Sequence, residues 1–320
     1  MSTIGFDTSN YTTSTAWTDG KTDINVRQIL YVKDGERGIR QSDGVFQHMK
    51  LMPVMYEKLS EQIDFKDVKA VGVSTRPRCV EGSYMPVFLA GEGYAKVVAN
   101  TLGVPLYEFS HQDGHIMAGI YSSGSFELLE NDFISVHLSG GTTEILKSRY
   151  NGFHFDNEII GGSKDISAGQ FIDRVGVKMG LHFPAGKALE QLALKTEKGE
   201  KLPIAVDGAY MNFSGVETKA SRMAESEKCD KSALALGVLE NVRDTLVKTI
   251  NKAMTDTNTH RVLIVGGVAS NGIIRNGLTK KLDGDVYFAK AEYSTDNAVG
   301  TGEPTLPWCR DCALPDQGSG

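Results

Sequence analysis

The sequence has no apolar run of the roughly eighteen residues that a membrane-spanning helix requires. Its first residues, MSTIGFDTSN, also lack the basic start and the long apolar stretch of a secretory signal peptide. We therefore expect a cytoplasmic protein without a membrane partner. A formal net charge of −6 argues against a generally basic surface that coats nucleic acid, although it leaves open a local basic patch.

Cysteine is scarce, and the four residues present are too few and too scattered for a disulfide framework. Cys79 and Cys229 are most simply interpreted as buried or half-buried thiols. Cys309 and Cys312 form WCRDC, whose spacing resembles that of a redox pair. A redox motif needs a strand-to-helix junction, whereas this one lies in a proline-containing tail, so we expect no redox chemistry there.

The composition that is present fits a folded protein. Apolar residues make up 40% of the chain and charged residues 23%, and 320 residues are enough to build two hydrophobic cores. Strand-like and helix-like segments alternate, which predicts an α/β fold with helices on the faces of sheets. We expect an N-terminal lobe over 1–125, a C-terminal lobe over 126–302 and an irregular tail over 303–320.

An internal repeat links the two halves of the chain. IGFDTSNYTTS (4–14) aligns without gaps with ISVHLSGGTTE (134–144). Each copy has an apolar run, a group of small residues and a second run, which is typical of a β-hairpin with a tight turn. The repeat suggests a duplicated fold, although chance similarity between two hairpin turns would give the same pattern.

Several segments between and after the repeats have a clear pattern. A polar stretch reaches about residue 44, and a helical pattern follows that Pro53 is expected to break. VKAVGVST and VPLYEFS read as strands, and the helix between them is expected to end at Gly103. The second half contains two predicted amphipathic helices, SAGQFIDRVGVKMGL and SALALGVLENVRDTLVKTINKAMTDT, and two predicted strands, RVLIVGG and DVYFAKA.

The segment HLSGGTTEI is a candidate phosphate-binding turn. Its consecutive glycines let backbone N–H groups approach a ligand oxygen, and the hydroxyls of Ser139, Thr142 and Thr143 add donors. These groups suit a phosphate or an acyl phosphate. An ordinary glycine-rich hairpin turn is the alternative.

Two further turns have a nucleotide-binding character. In RVLIVGGVASNGIIRNGL a buried strand runs into Gly266, and a helix is expected to begin near Asn271, whose amide and helix N–H groups converge at one end of a sheet. In LHFPAGKALEQLA, Gly186 precedes a helix, and Asp173 lies on the helix before it. Asp173 has the chemistry to accept from ribose hydroxyls, and a solvated helix carboxylate is the alternative.

The segment SHQDGHIMAG places His111 and His115 on one face of a predicted helix, where two imidazoles can reach a single ion. A zinc peptidase would need a glutamate after the first histidine, and Gln112 cannot take a proton, so peptidase chemistry is disfavoured. Two ligands do not complete a site. Asp296, in YSTDNAVG, is a candidate third ligand; without it, two ordinary histidines are the simpler interpretation.

The collinear set FDTSNYTTSTA, HQDGH, LSGGTTEIL, AGQFIDRVGVKMGLHFPAG, NFSGVETKA, GGVASNGIIR and STDNA resembles the tRNA threonylcarbamoyladenosine transferase family. The resemblance runs from about residue 3 to residue 300. It implies the duplicated actin-like ATPase fold, with two lobes and a nucleotide and metal cleft between them. It also implies transfer of a threonylcarbamoyl group from threonylcarbamoyl-AMP to the N6 amine of the adenosine beside the anticodon in tRNAs that decode ANN codons.

The resemblance also implies residue roles. The family's metal ligands match His111, His115 and Asp296, and we expect iron or zinc rather than magnesium, because Mg²⁺ prefers oxygen ligands. The implied partners are tRNA and the proteins of the threonylcarbamoyl transfer complex, including an actin-fold dimerisation partner. No catalytic residue is assigned. The family's adenylate-binding residues match His137, Leu138, Ser139, Gly140, Gly141, Asp173, Gly186 and Asn271.

The chain departs from the family pattern at the active-site turns. Tyr11 and Thr12 stand where two carboxylates are usual, and Thr142 replaces a histidine. The loop TRPRCVEGS replaces a glycine-proline-glycine loop, and Asp113 replaces a glutamate. These departures keep a second hypothesis open, a non-catalytic nucleotide- and metal-binding paralogue that scaffolds or regulates an active homologue.

Overall fold

The computed structural model describes residues 1–9, 11–32 and 39–302. The predicted irregular tail, 303–320, and the WCRDC motif with Cys309 and Cys312 lie outside the described residues. The chain divides into two compact units. Unit 1 comprises Met1–Ser122, Asn151–Phe155 and the residues from Thr295 onward, and unit 2 comprises Ser123–Tyr150 and Asp156–Ser294.

Unit 1 is built on a five-stranded sheet in the order β3-β2-β1-β4-β5. β1, β2 and β3 are antiparallel neighbours, whereas β4 and β5 run parallel to β1. The elements in chain order are β1 (Ser2–Asp7), β2 (Thr12–Thr18), β3 (Asp23–Ile29), α1 (Gln41–Ser60), β4 (Val68–Arg76), α2 (Phe88–Leu102), β5 (Leu106–Ser110) and α3 (His111–Ser123).

Unit 2 contains a seven-stranded sheet in the order β12-β11-β6-β7-β8-β10-β9. Its elements are β6 (Phe133–Leu138), β7 (Thr143–Tyr150), β8 (Phe155–Ser163), α4 (Ala168–Lys178), α5 (Gly186–Ala193), β9 (Ala205–Asp207), β10 (Tyr210–Asn212), α6 (Ser214–Ala224), α7 (Lys231–Thr257), β11 (Arg261–Val265), α8 (Gly272–Lys281) and β12 (Asp285–Phe288). A last short helix, α9 (Val299–Gly302), belongs to unit 1.

The two sheets share a five-strand order. In unit 2 the strands β8-β7-β6-β11-β12 repeat the arrangement β3-β2-β1-β4-β5 of unit 1. The β6–β7 pair is antiparallel like β1–β2, and β11 and β12 run parallel to β6 as β4 and β5 do to β1. The aligned hairpins of the sequence are therefore equivalent strands, which confirms the predicted α/β fold and its duplication.

Each unit has its own hydrophobic core. In unit 1, Phe6 and Val71 on neighbouring strands pack against Met52 and Leu59 of α1. In unit 2, Phe171 of α4 and Leu239 of α7 belong to a larger cluster. Among the residues that the structure describes, no helix is both long and apolar enough to cross a membrane.

Pro53 does not break α1, which corrects the sequence prediction. The helix continues from Gln41 to Ser60 with Pro53 inside it. Proline removes the N–H that would bond to the carbonyl four residues earlier, and that carbonyl belongs to Met49. The Tyr94 hydroxyl of α2 donates to the Met49 carbonyl at 3.0 Å. A neighbouring helix thus supplies the donor that proline lacks.

Candidate metal centre and nucleotide-binding turns

A reciprocal cap makes α3 begin at His111. The Asp113 N–H donates to Ser110 Oγ at 3.1 Å, and Asp113 Oδ2 accepts from the Ser110 N–H at 3.0 Å and from the Ser110 hydroxyl at 2.6 Å. This is a capping box, which fixes the first turn of a helix. Since α3 starts at this point, His111 and His115 lie one turn apart on the same face.

Asp296 lies beside both histidines. Its Oδ1 atom is 3.6 Å from His111 Nε2 and 3.5 Å from His115 Nε2. The imidazole rings are edge to face, with centroids 4.3 Å apart. Donors about 2.1 Å from one tetrahedral ion are separated by roughly 3.4 Å, so this spacing fits a single metal ion. The three residues offer ligand atoms that all lie within 4.8 Å of one another.

Asp7, a residue that the sequence analysis does not identify, lies behind the first histidine. Its Oδ2 atom is 3.2 Å from His111 Nδ1, the ring nitrogen that does not face Asp296. The carboxylate is buried, and it accepts from the Ser9 N–H at 3.2 Å, from the Ser9 hydroxyl at 3.0 Å and from the Ser74 hydroxyl. A carboxylate in this position fixes the tautomer and orientation of a metal-binding imidazole.

The opposite charges in this cluster favour protonated His111 and ionised Asp296. Burial lowers the pKa of His111, but the carboxylates of Asp7 and Asp296 raise it more, to about 10. Burial likewise raises the pKa of Asp296, and the two histidines hold that pKa well below its ordinary range. A metal ion that binds His111 must displace a proton, so affinity for the ion falls as the pH falls.

The turn that carries Asp296 is fastened to the sheet of unit 1. Arg27 on β3 donates to the Thr295 hydroxyl at 2.6 Å, and the Ala298 N–H donates to the Ser14 hydroxyl on β2 at 2.9 Å. Ser14 and Arg27 are directly paired across the two strands. These contacts hold Asp296 on both sides, which explains how a residue almost two hundred positions from His111 reaches it.

In unit 2 the Ser139–Thr142 turn closes tightly. The Ser139 N–H donates to the Thr142 carbonyl at 2.8 Å, and the Thr142 N–H donates to Ser139 Oγ at 3.0 Å. Gly140 and Gly141 are exposed, and a Cβ atom added to either would meet no atom of the described residues within 4 Å. Packing within the protein does not require glycine here, so an exposed backbone is available to a ligand.

The N-terminus of α4 lies against this turn. Ser167 Oγ donates to the Gly140 carbonyl at 2.7 Å, and a Cβ atom added to Gly169 would lie 2.5 Å from the Ser139 carbonyl oxygen. The Ala168 N–H donates to Thr143 Oγ1 at 2.8 Å. The Thr143 hydroxyl was predicted to donate to a ligand. Its oxygen instead accepts a hydrogen bond from the N-terminus of α4, which was not anticipated. The N–H groups of Ala168 and Gln170 are bonded within the protein, so it is the positive end of the helix dipole that favours an anion beside the glycine turn.

Asp173 and Gly186 lie together at the start of α5. The Asp173 carboxylate accepts from the Ala185 N–H at 2.8 Å and so caps that helix. Burial raises the pKa of Asp173, whereas the backbone N–H groups of Ala185 and Gly186 lower it. The side chain is half-buried and bonded to the protein, so the solvated-carboxylate interpretation was wrong.

The second glycine turn meets the end of β6. Gly266 has φ +101°, and a Cβ atom there would overlap the Leu138 carbonyl oxygen. His137 pairs with Val265 across the β6–β11 ladder. Asn271 caps α8, and its Oδ1 atom accepts from the N–H groups of Ile273 and Ile274 at 3.1 Å each. The amide nitrogen of Asn271 is the end that can donate to a ligand.

Comparison with known proteins gives one consistent result. A family model described as tRNA N6-adenosine threonylcarbamoyltransferase matches residues 37–302. A protein of that name from Thermus thermophilus is 30% identical over 307 residues, which cover 93% of this chain and 90% of the relative. Another, from Christiangramia forsetii, is 30% identical over 269 residues, covering 79% and 76% respectively.

Solved structures support the fold alone. Full-length HypF in its phosphate- and nucleotide-bound form superposes with a TM-score of 0.61 at 15% identity, over 98% of this chain and 56% of that one. A ROK family glucokinase from Streptomyces griseus superposes with a TM-score of 0.53 at 12% identity, over 95% of this chain and 98% of the glucokinase. The predicted duplicated actin-like ATPase fold is therefore confirmed.

Proposed function

Because the chain belongs to the tRNA N6-adenosine threonylcarbamoyltransferase family, we propose that it transfers a threonylcarbamoyl group from threonylcarbamoyl-AMP to the N6 amine of the adenosine beside the anticodon in tRNA. The observation that carries the proposal is the cluster of His111, His115 and Asp296, whose donor atoms converge as a single ion requires. Asp7, bonded to His111, completes the arrangement of a tuned metal centre.

The donor set suits a transition metal. Two imidazole nitrogens and one carboxylate oxygen favour iron or zinc over magnesium, which prefers oxygen ligands. When bound, such an ion supplies positive charge that neutralises phosphate and polarises the acyl phosphate. His111, His115 and Asp296 would hold the ion, and Asp7 would keep Nε2 of His111 directed toward it.

The turns of unit 2 are the proposed adenylate site. The backbone N–H groups of Gly140 and Gly141 and the hydroxyl of Ser139 would donate to phosphate oxygens, with support from the positive end of the α4 dipole. The Asn271 amide nitrogen would donate to the nucleotide, and His137 and Leu138 would form the adjoining wall. At the start of α5, Gly186 would allow close approach of the ligand, and Asp173 would accept from ribose hydroxyls with the lone pairs that the helix cap leaves.

The substrate and partner proposals rest on the family. The proposed acceptor is tRNA, and the net charge of −6 favours docking with the help of protein partners rather than through a broad basic surface. We include among these partners an actin-fold protein that dimerises with this chain. A lobe boundary near residue 125 is part of the same proposal, whereas residues 295–302 belong to unit 1 and not to the C-terminal lobe.

Transfer can be tested directly. The purified chain, with its partner proteins, would be incubated with ATP, threonine, bicarbonate, the adenylate-forming enzyme and tRNA, and the nucleosides would be analysed by mass spectrometry. We expect threonylcarbamoyladenosine to form with the wild type and to fall to background with Asp296→Ala. His260→Ala, which changes an exposed histidine of unit 2, is the matched control and should keep full transfer. Absence of product from the wild type would overturn the proposal.

A further inference from the structure

A second cluster of metal-binding side chains lies in unit 1, built from Cys79, Asp113 and His154. Each residue offers one ligand atom, and these atoms lie within 4.8 Å of one another. His154 Nδ1 is 3.7 Å from Asp113 Oδ2. None of the three belongs to the triad of His111, His115 and Asp296, and Asp113 leaves α3 on a different face from the two histidines.

Three separate segments converge to form this cluster. The Gln112 N–H at the start of α3 donates to the Pro77 carbonyl at 3.1 Å, which holds the loop of Cys79 beside Asp113. Asp113 Oδ1 accepts from the Phe155 N–H at 3.2 Å, which brings the segment of His154 to the same place. The convergence is therefore fixed by the backbone on both sides of Asp113.

The His154 imidazole is held in place, but one of its nitrogens is not satisfied. The backbone N–H of His154 donates to the Asn151 side chain at 2.9 Å, and the imidazole ring packs edge-on against Phe109 and Phe153. His154 Nδ1 is buried and has no hydrogen-bond partner among the described residues. A buried polar nitrogen without a partner costs free energy, and a metal ion would remove that cost.

The side chains of Asp113 and Cys79 can also bind an ion. Asp113 is buried, and three of the four lone pairs of its carboxylate accept from Ser110 and Phe155, which leaves one lone pair on Oδ1 for an ion. Cys79 is exposed, contrary to the sequence expectation of a buried or half-buried thiol. Its sulfur accepts a hydrogen bond from the Arg76 guanidinium at 3.7 Å, and a metal ion would take the place of that donor. Cys79 lies in the TRPRCVEGS loop that departs from the family pattern, and Asp113 is itself a departure.

We propose that Cys79, Asp113 and His154 form a second metal site, which binds a zinc ion through one sulfur, one oxygen and one nitrogen. These donors are among the common zinc ligands, and a set of three leaves a fourth position for water. The coordinating thiol loses its proton on binding. Because its side chain is exposed, Cys79 can move to shorten the distances to the ion.

Cobalt substitution provides the test, because a cobalt ion bound by a cysteine sulfur gives a charge-transfer band in the near ultraviolet. The full chain carrying Cys309→Ser and Cys312→Ser serves as the reference, since it removes the other closely spaced thiols. We expect this protein to bind two equivalents of Co²⁺ or of Zn²⁺, and its cobalt form to show the band. Adding Cys79→Ser should remove the band and one equivalent, and Cys229→Ser is the matched control that should change neither.

Two further variants separate this site from the proposed active site. His111→Ala should lose one equivalent and keep the band, whereas His154→Gln should weaken the band and keep the equivalent at His111. The proposal is overturned if the reference protein shows no band, if the band survives Cys79→Ser, or if His154→Gln leaves it unchanged. None of these outcomes depends on transfer activity, so the proposed function and the second site can fail independently.

Discussion

At the scale of single residues, the contact between Asp7 and His111 is the feature with the clearest chemical consequence. Asp7 is buried, and its only charged neighbour within ion-pair distance among the described residues is His111. Asp7→Asn keeps the shape of the side chain and removes the charge that orients the imidazole and increases its basicity. We expect metal affinity to fall by about ten- to a hundredfold, measured by competition with a chromophoric chelator.

A control for this prediction is available in unit 2. Asp207→Asn removes an exposed carboxylate that pairs with Lys164, so it should leave the affinity unchanged. Equal metal affinity in Asp7→Asn and the wild type would show that the 3.2 Å contact does not tune the centre.

His48 makes the stability of unit 1 depend on pH. The side chain is buried on α1, and its Nδ1 is hydrogen-bonded to the Thr13 hydroxyl at 2.8 Å. Burial lowers the pKa of His48 to about 4, although the carboxylates of Asp7 and Asp296 oppose that shift. The unfolded chain, with an ordinary histidine, takes up the proton first as the pH falls.

The sign of the effect follows from this order of protonation. Stability from neutral His48 is complete above about pH 6.5 and is lost as the pH falls toward 4, by on the order of 3 kcal/mol. His48→Asn keeps a polar atom near the position of Nδ1 and cannot titrate. The difference in unfolding free energy between wild type and variant, from urea denaturation at several pH values, should therefore change across this window. A constant difference would contradict the prediction.

The residue types at the metal centre could be predicted from sequence, whereas the support around them could not. Histidines spaced by four define their own shared face once a helix is assumed, and the resemblance supplied Asp296. Asp7 has no local pattern that marks it, because its role depends on β1 lying beside the start of α3. Asp173 shows the same limit, since its cap on α5 requires that the two helices meet.

At the scale of elements, α1 shows how tertiary contacts override a local rule. Proline predicts a helix end, but the Tyr94 hydroxyl satisfies the Met49 carbonyl that Pro53 leaves without a helical partner. We expect Tyr94→Phe to lower the unfolding free energy by about 0.5–1 kcal/mol, since the carbonyl is partly open to solvent. Chemical denaturation would measure the change.

A double-mutant cycle isolates this effect. In a Pro53→Ala background, the N–H of the new alanine bonds to the Met49 carbonyl within the helix. Tyr94→Phe should therefore lower the unfolding free energy by less in that background than in the wild type. Equal costs in both backgrounds would mean that the tyrosine hydroxyl does not replace the missing donor.

The strands β3 and β8 were missed for a related reason. β3 lies at the edge of its sheet and ends in three exposed residues, so its composition is that of the polar stretch in which it was placed. β8 contains acidic residues and two consecutive glycines, and Gly162 lies where a Cβ atom would meet the backbone of β7. Both strands form because a neighbouring strand pairs with them, whereas the buried strands β4 and β11 were evident from their apolar runs.

The junction between α4 and the glycine turn gives a further test at this scale. A Cβ atom on Gly169 would lie 2.5 Å from the Ser139 carbonyl oxygen and 2.6 Å from Gly140 Cα, so Gly169→Ala must displace the turn. We expect AMP binding to weaken at least tenfold by calorimetry, which corresponds to about 1.4 kcal/mol. Metal binding at His111 should stay intact.

The matched control is Gly215→Ala. Gly215 lies in α6, and a Cβ atom there would meet no atom of the described residues within 4 Å. The Gly215→Ala variant should bind AMP with the affinity of the wild type. If Gly169→Ala also binds AMP normally, the 139–142 turn is not part of the nucleotide site.

At the scale of the whole molecule, duplication has given two units with the same strand order and different chemistry. The proposed metal ligands all belong to unit 1, and the proposed adenylate-binding residues all belong to unit 2. Unit 1 is also discontinuous in sequence. The Thr3 hydroxyl donates to the Gly302 carbonyl at 2.9 Å, so the last described residues complete the unit that the first residues begin.

Metal binding should therefore stabilise both ends of unit 1 together. The ion would join α3 to the turn of Asp296, and that turn is bonded to β2 and β3. A ligand that binds only the folded state adds about 2.7 kcal/mol to the unfolding free energy when its free concentration is a hundred times its dissociation constant. In hydrogen exchange followed by mass spectrometry on the Cys79→Ser chain, which lacks the second proposed site, Zn²⁺ should slow exchange in peptides covering both 111–123 and 295–302. Peptides covering 205–224 of unit 2 serve as the internal reference, and His111→Ala should abolish the effect. Protection confined to 111–123 would contradict a centre that includes Asp296, because a two-histidine site on α3 would leave the C-terminal segment unchanged.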